Sequence, residues 1–332
     1  MGNLRSSISK RRKAYYYIVN IFNILIPNFF YRTRLRSILN EKNYSDRAYI
    51  DSRVKYYIKK LSHFNTSNKS KDLNQLIKNQ LIKNKQNSHA IDFYQSLRFF
   101  NPSFKTDFIY NTIKVIESDI SKKIPDFPTI VKSRPITNDN QNSILLKLNQ
   151  IKLFHFINDS KQFLHKKNKA VWRGDIRNNK RRSSFIKKLH TIPYFNIGQS
   201  APKGNLPWEK DFMPIKEQLK YKFIFCLEGK CISTNLYWVM SSNSICVMPK
   251  PKYESWFMEG KLQQGVHYIE VKDDFSDAEE KIIYYINNPD KCLRIIKNAH
   301  NFVNQFKNKE RERLIQLLVL RHYFILTGQY EN

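Results

Sequence analysis

Short apolar runs that alternate with helical segments in the second half of the chain constrain the fold more than any other feature. The predicted strands are residues 169–172, 221–227, 245–248 and 267–271, and the predicted helices are 185–190, 236–240, 278–286 and 290–306. The runs are rich in Val, Ile, Phe and Tyr, which is typical of strands buried on both faces. Strands that alternate with helices build a parallel sheet, so this order predicts a Rossmann-like α/β unit. Ligands of such units bind beyond the C-terminal ends of the strands.

Length and charge set the size class and the surface. The 332 residues are enough for two domains of roughly 150 residues each. The formal net charge is +30, yet the chain is 41% hydrophobic and 14% aromatic, which is too apolar for a disordered basic tail. A cationic surface attracts phosphate, whether in nucleic acid, anionic lipid headgroups or phosphorylated glycans.

The first 40 residues contain eight basic side chains and no acidic one. Between the basic residues lies an apolar and aromatic run, residues 14–31, which Asn20, Asn23 and Pro27 interrupt. Because a membrane-spanning helix needs about 20 cleaner apolar residues, this run predicts an amphipathic or buried helix instead. It has two interpretations, a core helix with a solvated basic start and a membrane-surface anchor. The run also lacks the features of a signal peptide, so we expect a cytosolic enzyme.

The sequence lacks the motifs that identify several common kinds of catalytic or metal site. The four cysteines form no C-x-x-C pair and have no histidine at ligand spacing, so we expect reduced thiols and neither zinc nor disulfides. The H-E-x-x-H, G-x-S-x-G, Walker A and G-x-G-x-x-G patterns are also missing. With only eight glycines in the chain, a phosphate site must depend on basic side chains and helix N-termini.

Two basic turns follow predicted strands. Residues 161–190 carry eleven Lys and Arg against the single acid Asp175, and the basic residues cluster where a strand, a glycine turn and a helix start meet. This arrangement predicts a diphosphate cradle, whereas the alternative is a solvated basic turn. The second basic turn, Lys132-Ser133-Arg134, follows a further predicted strand at residues 129–131. It offers two cations and a hydroxyl.

The segment from residue 132 to about residue 306 resembles glycosyltransferase family 90. This family contains bacterial lipopolysaccharide core transferases of the LpsA type and eukaryotic protein O-glucosyltransferases, and the resemblance is closest to the bacterial branch. It depends on the order and spacing of short motifs: Lys132-Ser133-Arg134-Pro135-Ile136, Leu145-Leu146-Lys147-Leu148-Asn149, Val171-Trp172-Arg173-Gly174, Gln218-Leu219-Lys220-Tyr221-Lys222-Phe223, Leu227-Glu228-Gly229, Thr234-Asn235-Leu236, Met240-Ser241-Ser242-Asn243-Ser244, Met248-Pro249-Lys250-Pro251-Lys252-Tyr253 and Val266-His267-Tyr268-Ile269-Glu270.

The resemblance implies a GT-B-like fold, in which two Rossmann-like domains face each other across a cleft behind a helix-rich N-terminal region. We expect a helix-rich, acceptor-side domain at residues 1–155, a donor domain at 156–310 and a C-terminal helix at 311–332 that packs back. The implied reaction moves a hexose, glucose or galactose, from a nucleotide sugar to a lipopolysaccharide or lipooligosaccharide core, with inversion. A UDP-hexose is then a substrate, no cofactor is tightly bound, and no metal is required. The implied partners are the nucleotide sugar, an anionic glycolipid acceptor and an anionic membrane surface. That surface is the inner face of the plasma membrane. No nucleic-acid partner is expected.

The donor site is assigned from the matching motifs and from the basic turn. Arg173 lies in the family's aromatic-Arg-Gly motif, and its guanidinium fork suits phosphate oxygens. The eukaryotic branch has an arginine where this chain has Asn235, so Lys250 and Lys252 are the candidates to replace that contact here. No D-x-D motif occurs in this region, and we expect Asp273 and Asp274 to cap the following helix. The full set of predicted donor residues is Trp172, Arg173, Gly174, Arg181, Arg182, Lys222, Ser233, Thr234, Asn235 and Lys250.

An inverting transferase needs a carboxylate base near the acceptor hydroxyl. The resemblance points to an acid shortly before the strand at residues 129–131, and Asp119 is the candidate, with Glu117 and Asp126 as alternatives. Two functions of other classes stay open, a basic nucleic-acid-binding protein and a noncatalytic membrane-surface scaffold. Against the first, the sequence has no RNP1-like run, no zinc-finger spacing and no basic heptad helix.

Overall fold

The computed structural model describes residues 10–40, 46–59, 62–66, 68, 70–76, 88–109, 125–176, 179–200 and 204–330. These residues form two compact units. The helical unit comprises described residues within 10–152, 253–258 and 306–330, and the five-stranded unit those within 153–252 and 259–305.

Helices and strands alternate through most of the described chain, so the mixed α/β class is confirmed. The helices are α1 (Lys10–Leu25), α2 (Asn28–Ile38), α3 (Arg47–Tyr57), α4 (Leu73–Leu76), α5 (Ser88–Leu97), α6 (Lys180–Leu189), α7 (Ile215–Gln218), α8 (Leu236–Met240), α9 (Ala278–Ile286), α10 (Pro289–Asn304) and α11 (Lys309–Leu326). The strands are β1 (Phe108–Ile109), β2 (Thr129–Val131), β3 (Ser133–Pro135), β4 (Ser143–Leu145), β5 (Lys167–Gly174), β6 (Phe195–Gln199), β7 (Tyr221–Phe225), β8 (Ile245–Met248), β9 (Tyr253–Ser255) and β10 (Ile269–Glu270).

The five-stranded unit is built on a parallel sheet with the strand order β10-β8-β7-β5-β6. The register pairs Trp172 with Ile197 on one side of β5 and Val171 with Ile224 on the other. Because the strands are parallel, their C-terminal ends meet at one edge of the sheet. This C-terminal edge is the place where a Rossmann-like unit binds its ligands.

The core of this unit explains why α6 begins and packs where it does. The Asn179 side chain accepts the backbone N–H of Arg182 (2.8 Å) and so caps the helix. One apolar stripe of α6 is buried, and its Phe185 ring contacts Trp172, Phe225 and Phe275 with centroids 4.8–5.4 Å apart. Burying each such side chain contributes about 1.5–3 kcal/mol. The helix start is therefore fixed against the sheet near its C-terminal edge.

A polar clamp closes the opposite, N-terminal edge of this sheet. The buried ammonium of Lys166 donates to Asp159 (2.6 Å), to the Leu219 carbonyl (2.6 Å) and to the Ser244 hydroxyl (2.8 Å). The Asp159 carboxylate also accepts the backbone N–H of Asn243 (3.0 Å). Burial lowers the pKa of Lys166, so removal of its counter-charge would be costly. The Ser-Ser-Asn-Ser motif at residues 241–244 is thus part of a structural clamp.

The helical unit contains a three-stranded parallel sheet of order β1-β2-β4 and an antiparallel pair, β3 with β9. Arg134 on β3 is fully buried and donates to Glu254 (2.7 Å) and to the Ser143 carbonyl (2.8 Å). The prediction that the turn at residues 132–135 offers two cations is therefore wrong for Arg134. Its charge is used to join β3 to β9.

Helices α3 and α11 of the helical unit share a buried ionic network. The Glu312 carboxylate accepts from Arg53 (3.0 Å), Lys147 (3.2 Å) and the Trp256 indole (2.6 Å). The Trp256 ring stacks on Tyr57 at a centroid distance of 3.8 Å. These contacts place Trp256 in the core. Within the described residues, no helix is both long enough and apolar enough to cross a bilayer.

Candidate functional site

Four charged side chains meet at the C-terminal edge of the five-stranded sheet, and we call Arg181, Glu228, Lys252 and Asp273 the edge cluster. Arg181 lies in the first turn of α6 and donates to Glu228 (3.4 Å) and to Asp273. Lys252 reaches the other oxygen of Asp273 (3.0 Å), and its backbone N–H donates to Glu228 (3.0 Å). Two cations therefore share one carboxylate beside a helix N-terminus, where an anion is favoured.

The loop that follows β7 is held by Arg182. Its guanidinium donates to the carbonyl oxygens of Leu227 (2.7 Å), Glu228 (3.1 Å) and Asp175 (3.3 Å). Burial lowers the pKa of Arg182, although nearby acids partly compensate. A Cβ on Gly229 would lie 3.1 Å from the guanidinium, so a glycine allows this close approach. Arg182 thus orients the loop that carries Glu228.

The polar residues before α8 bond to neighbouring groups of the protein and make no side-chain cap on this helix. Asn235 is the N-cap residue, but its side chain makes no capping hydrogen bond. Instead, its amide donates to the Phe225 carbonyl at the end of β7 (2.9 Å) and accepts from the Ser233 hydroxyl (2.6 Å). Ser233 is buried, whereas Thr234 is exposed. The Ser233 hydroxyl and the Asn235 amide, which the prediction assigned to a phosphate, therefore already donate to other groups of the protein.

Lys250 is the most open of the predicted cations at this edge. It follows the end of β8 by two residues and is exposed, like Lys252. In the described part of the chain, it forms no ion pair with an acidic side chain. Its ammonium is therefore available to an anionic ligand without displacement of a protein carboxylate.

Arg173 lies on the other face of the sheet from α6, because side chains alternate along β5 and Trp172 packs against α6. Its guanidinium donates to the backbone carbonyl (2.7 Å) and to the side-chain oxygen (2.9 Å) of Asn196 on β6. Burial lowers the pKa of Arg173. It borders an open pocket of about 710 Å³ lined by Arg173, Ser200, Glu209, Lys210, Asp211, Phe212, Met213, Pro214 and Glu217.

Three other predicted donor residues, Trp172, Gly174 and Lys222, pack against apolar side chains of the protein interior. Trp172 is buried in the core, and a Cβ on Gly174 would lie only 2.4 Å from its ring, so glycine is required there. Lys222 lies near the start of β7, buried, with its ammonium 5.0 Å from the Phe163 ring centroid. Arg181 and Arg182 thus lie near the C-terminal edge of the sheet, whereas Lys222 lies near the N-terminal end of β7.

The predicted base, Asp119, and the alternative Glu117 lie outside the described residues. The other alternative, Asp126, is described and is exposed in the helical unit. The base assignment therefore stays a prediction.

Sequence reasoning missed the acidic half of the edge cluster. Glu228 was part of a family motif without an assigned role, and Asp273 was predicted to cap the next helix. Asp273 instead pairs with the two cations, and α9 begins after Asp277. A signal was present in the sequence, because Glu228 directly follows the predicted strand 221–227 and Asp273 lies two residues after the predicted strand 267–271.

Comparison with known proteins adds to this geometry. The profile of the family described as "Glycosyl transferase family 90" matches residues 146–323. The chain is 44% identical over 207 residues to "O-glucosyltransferase LpsA" of Dichelobacter nodosus, covering 61% of this chain and 64% of that protein. It is also 31% identical over 131 residues to "Uncharacterized protein 179R" of Invertebrate iridescent virus 6, covering 37% of this chain and 10% of the viral protein. The chain thus spans less than two thirds of the length of these relatives.

Proposed function

Because the chain belongs to glycosyltransferase family 90, we propose that it transfers a hexose from a nucleotide sugar to a lipopolysaccharide or lipooligosaccharide core, with inversion. The family makes it a glycosyltransferase. The name of the bacterial relative, an O-glucosyltransferase, favours glucose over galactose as the transferred sugar. We propose a UDP-hexose as the donor and a GT-B-like pairing of two domains as the setting.

The edge cluster supports the position of the donor diphosphate. Arg181 and Lys252 bind the two oxygens of the same carboxylate, so their charged groups are spaced to contact one anionic group together. A diphosphate at the start of α6 would take over these contacts from Asp273, which is 57% exposed and can turn towards solvent. Preorganised donors of this kind typically contribute ~3–4 kcal/mol each to stabilising a developing charge. This sharing of one anion site by two cations is the observation that carries the proposal.

Arg173 supports a second position, because it borders the open pocket on the other face of β5. There, its guanidinium would bind a nucleotide or a sugar hydroxyl only after giving up part of its bonding to Asn196. Arg181 and Arg173 therefore define two separable hypotheses for the diphosphate contact. Variants at each residue distinguish them.

In the reaction, the acceptor hydroxyl loses its proton to a carboxylate as its oxygen attacks the anomeric carbon, while the bond to the UDP oxygen breaks. Asp119 is the proposed base. The cations at the sheet edge then stabilise the negative charge that develops on the departing diphosphate. A glycolipid acceptor would place the enzyme at the cytoplasmic face of the inner membrane.

The test measures UDP release from UDP-glucose and from UDP-galactose, with and without detergent-solubilised truncated lipooligosaccharide, and with and without EDTA. We expect acceptor-dependent release that persists in EDTA and falls at least about a hundredfold in Arg181→Ala. Arg294→Ala, which removes an exposed arginine of α10 in the same unit, is the matched control and should retain activity. A loss of UDP release in Arg173→Ala but not in Arg181→Ala would instead indicate that the diphosphate binds at the open pocket.

The nucleic-acid alternative gives a different result in the same preparation. If no donor gives UDP release and the protein binds RNA or DNA tightly and in a salt-sensitive way, the transferase proposal is rejected in favour of nucleic-acid binding. Acceptor-dependent UDP release would exclude a purely noncatalytic scaffold.

A further inference from the structure

The outward face of α1 is apolar, although this helix lies at the surface of the helical unit. With 100° between successive residues, its exposed apolar side chains fall within an arc of about 120°. We call these residues the outer stripe, and their exposed fractions range from 52% to 73%: Tyr15, Ile18, Ile21, Phe22 and Leu25. Phe29 and Phe30, also exposed, extend the apolar surface onto α2.

The polarity of α1 is the inverse of that of an ordinary surface helix. Tyr16 lies on the face opposite the outer stripe, and its hydroxyl donates to the buried Asp92 carboxylate (2.7 Å) and to the Ser88 carbonyl (3.2 Å) of α5. On the same inward face, the Asn23 carbonyl accepts from Arg98. The helix therefore docks in part through polar groups and directs the five large side chains of the outer stripe away from the unit.

The corner between α1 and α2 is held firmly in this orientation. The side chain of Arg98 is fully buried and donates to the backbone carbonyls of Asn23 and Ile26 and to the side-chain oxygen of Asn28 (3.0 Å). Its guanidinium also lies 3.8 Å from the Tyr31 ring centroid. A buried charge with this many partners fixes both helices, so the outer stripe is presented as a built surface.

The charge around the outer stripe identifies its partner. Residues 1–40 carry eight basic side chains and no acid. Exposed cations lie near the start of α1 and along α2: Arg11, Lys13, Arg32, Arg34 and Arg36. A second copy of this chain would bring the same positive charge, and nucleic acid offers no apolar phase for Ile18, Ile21 and Leu25. An anionic bilayer offers both phosphate and acyl chains.

We infer that α1 and the first turn of α2 form an interfacial membrane-binding surface, which inserts the outer stripe among the acyl chains of an anionic bilayer. The flanking arginines and lysine lie at the level of the lipid phosphates. This inference does not depend on the proposed transferase activity, but it places such an enzyme beside a glycolipid acceptor.

The test is flotation of the full chain with vesicles of phosphatidylcholine alone or of phosphatidylcholine mixed with phosphatidylglycerol. We expect binding to the anionic vesicles, at least about tenfold weaker partitioning of Phe22→Ser/Leu25→Ser, and a similar loss in Arg34→Gln/Arg36→Gln. Tyr284→Ser/Leu293→Ser, which removes exposed apolar groups from α9 and α10, is the matched control and should bind like the unsubstituted chain. Circular dichroism and unfolding midpoints establish that each variant is folded.

Three results would overturn the inference. The first is equal vesicle binding by the outer-stripe variant and the control, and the second is no preference for anionic over neutral vesicles. The third is a change of partner, in which the outer-stripe variant keeps its vesicle binding but loses self-association, measured by light scattering, or RNA binding. UDP release in detergent is measured on the same variants, so failure of the donor site is distinguished from failure at the membrane.

Discussion

Asp92 gives the sharpest test of the interior of the helical unit, because a buried carboxylate there controls how α1 docks. The group is 3% exposed and accepts from the Tyr16 hydroxyl (2.7 Å) and from the backbone N–H of Gln150 (2.8 Å). Burial raises the pKa of Asp92 to about 7, and these hydrogen bonds together with Lys147 oppose that rise only in part. Asp92→Asn removes the ionisation but keeps an oxygen that accepts from Tyr16.

The sign and size of the effect follow from the two pKa values of this carboxyl. Between its ordinary pKa of 3.8 and its folded pKa of about 7, the native state binds a proton that the unfolded state lacks. The contribution of Asp92 to stability therefore falls as the pH rises through this window and is constant above it. At ~1.36 kcal/mol for each pKa unit, the full change is about 4 kcal/mol.

The assay is urea unfolding of the unsubstituted chain and of Asp92→Asn at a series of pH values from about 4.5 to about 8. The unfolding free energy of the variant, relative to the unsubstituted chain, should rise by about 3–4 kcal/mol across that range. Only the difference is informative, because burial lowers the pKa of the neighbouring His89 to about 4, which gives an opposite slope in both proteins. Parallel curves for the two proteins would refute the reasoning.

Other predictions address the two units separately. Glu312→Gln leaves two cations buried without a counter-charge, so the unfolding free energy should fall by about 3–5 kcal/mol, whereas Glu310→Gln, exposed on the same helix, should leave denaturant unfolding unchanged. Asp159→Asn breaks the clamp at the N-terminal edge of the five-stranded sheet, and about 3 kcal/mol of protection should be lost in hydrogen exchange of that unit. Gly229→Ala should displace Arg182 and raise KM for the donor about fivefold in steady-state kinetics, equivalent to about 1 kcal/mol, and an unchanged KM would contradict the tight packing seen there.

The strongly apolar segments of the five-stranded unit were predictable from the sequence. The predicted bounds of α8, β8 and α9 are confirmed residue for residue. β6 was missed because its sequence, Phe195–Gln199, includes an asparagine, a glycine and a glutamine, which are unusual in a buried strand. In the described part of the chain, β6 is an edge strand whose neighbouring strand in the sheet is β5, so it tolerates these residues.

What the sequence could not supply is pairing between distant segments. Local patterns place Arg181 at a helix start, but its acidic partners lie 47 and 92 residues further along the chain. Likewise, no local pattern shows that β9 folds with β3 in the helical unit, a contact that uses Arg134 for the ion pair with Glu254. Periodicity predicts elements, whereas ion pairs between elements depend on the completed topology.

The position of a family motif on the sheet separates its two possible meanings. The Leu227-Glu228-Gly229 motif and the motif that contains Lys252 lie at the C-terminal edge, where two cations and a helix start face solvent. Residues 241–244 lie at the N-terminal edge, where their side chains and backbone groups are bonded to Asp159, Lys166 and neighbouring carbonyls. All three motifs contribute in the same way to a sequence match, because a match records residue identity and spacing. The two motifs at the C-terminal edge carry charge that a substrate can reach, so substitutions there should change kcat or KM at nearly constant stability, while substitutions at the N-terminal edge should lower stability first.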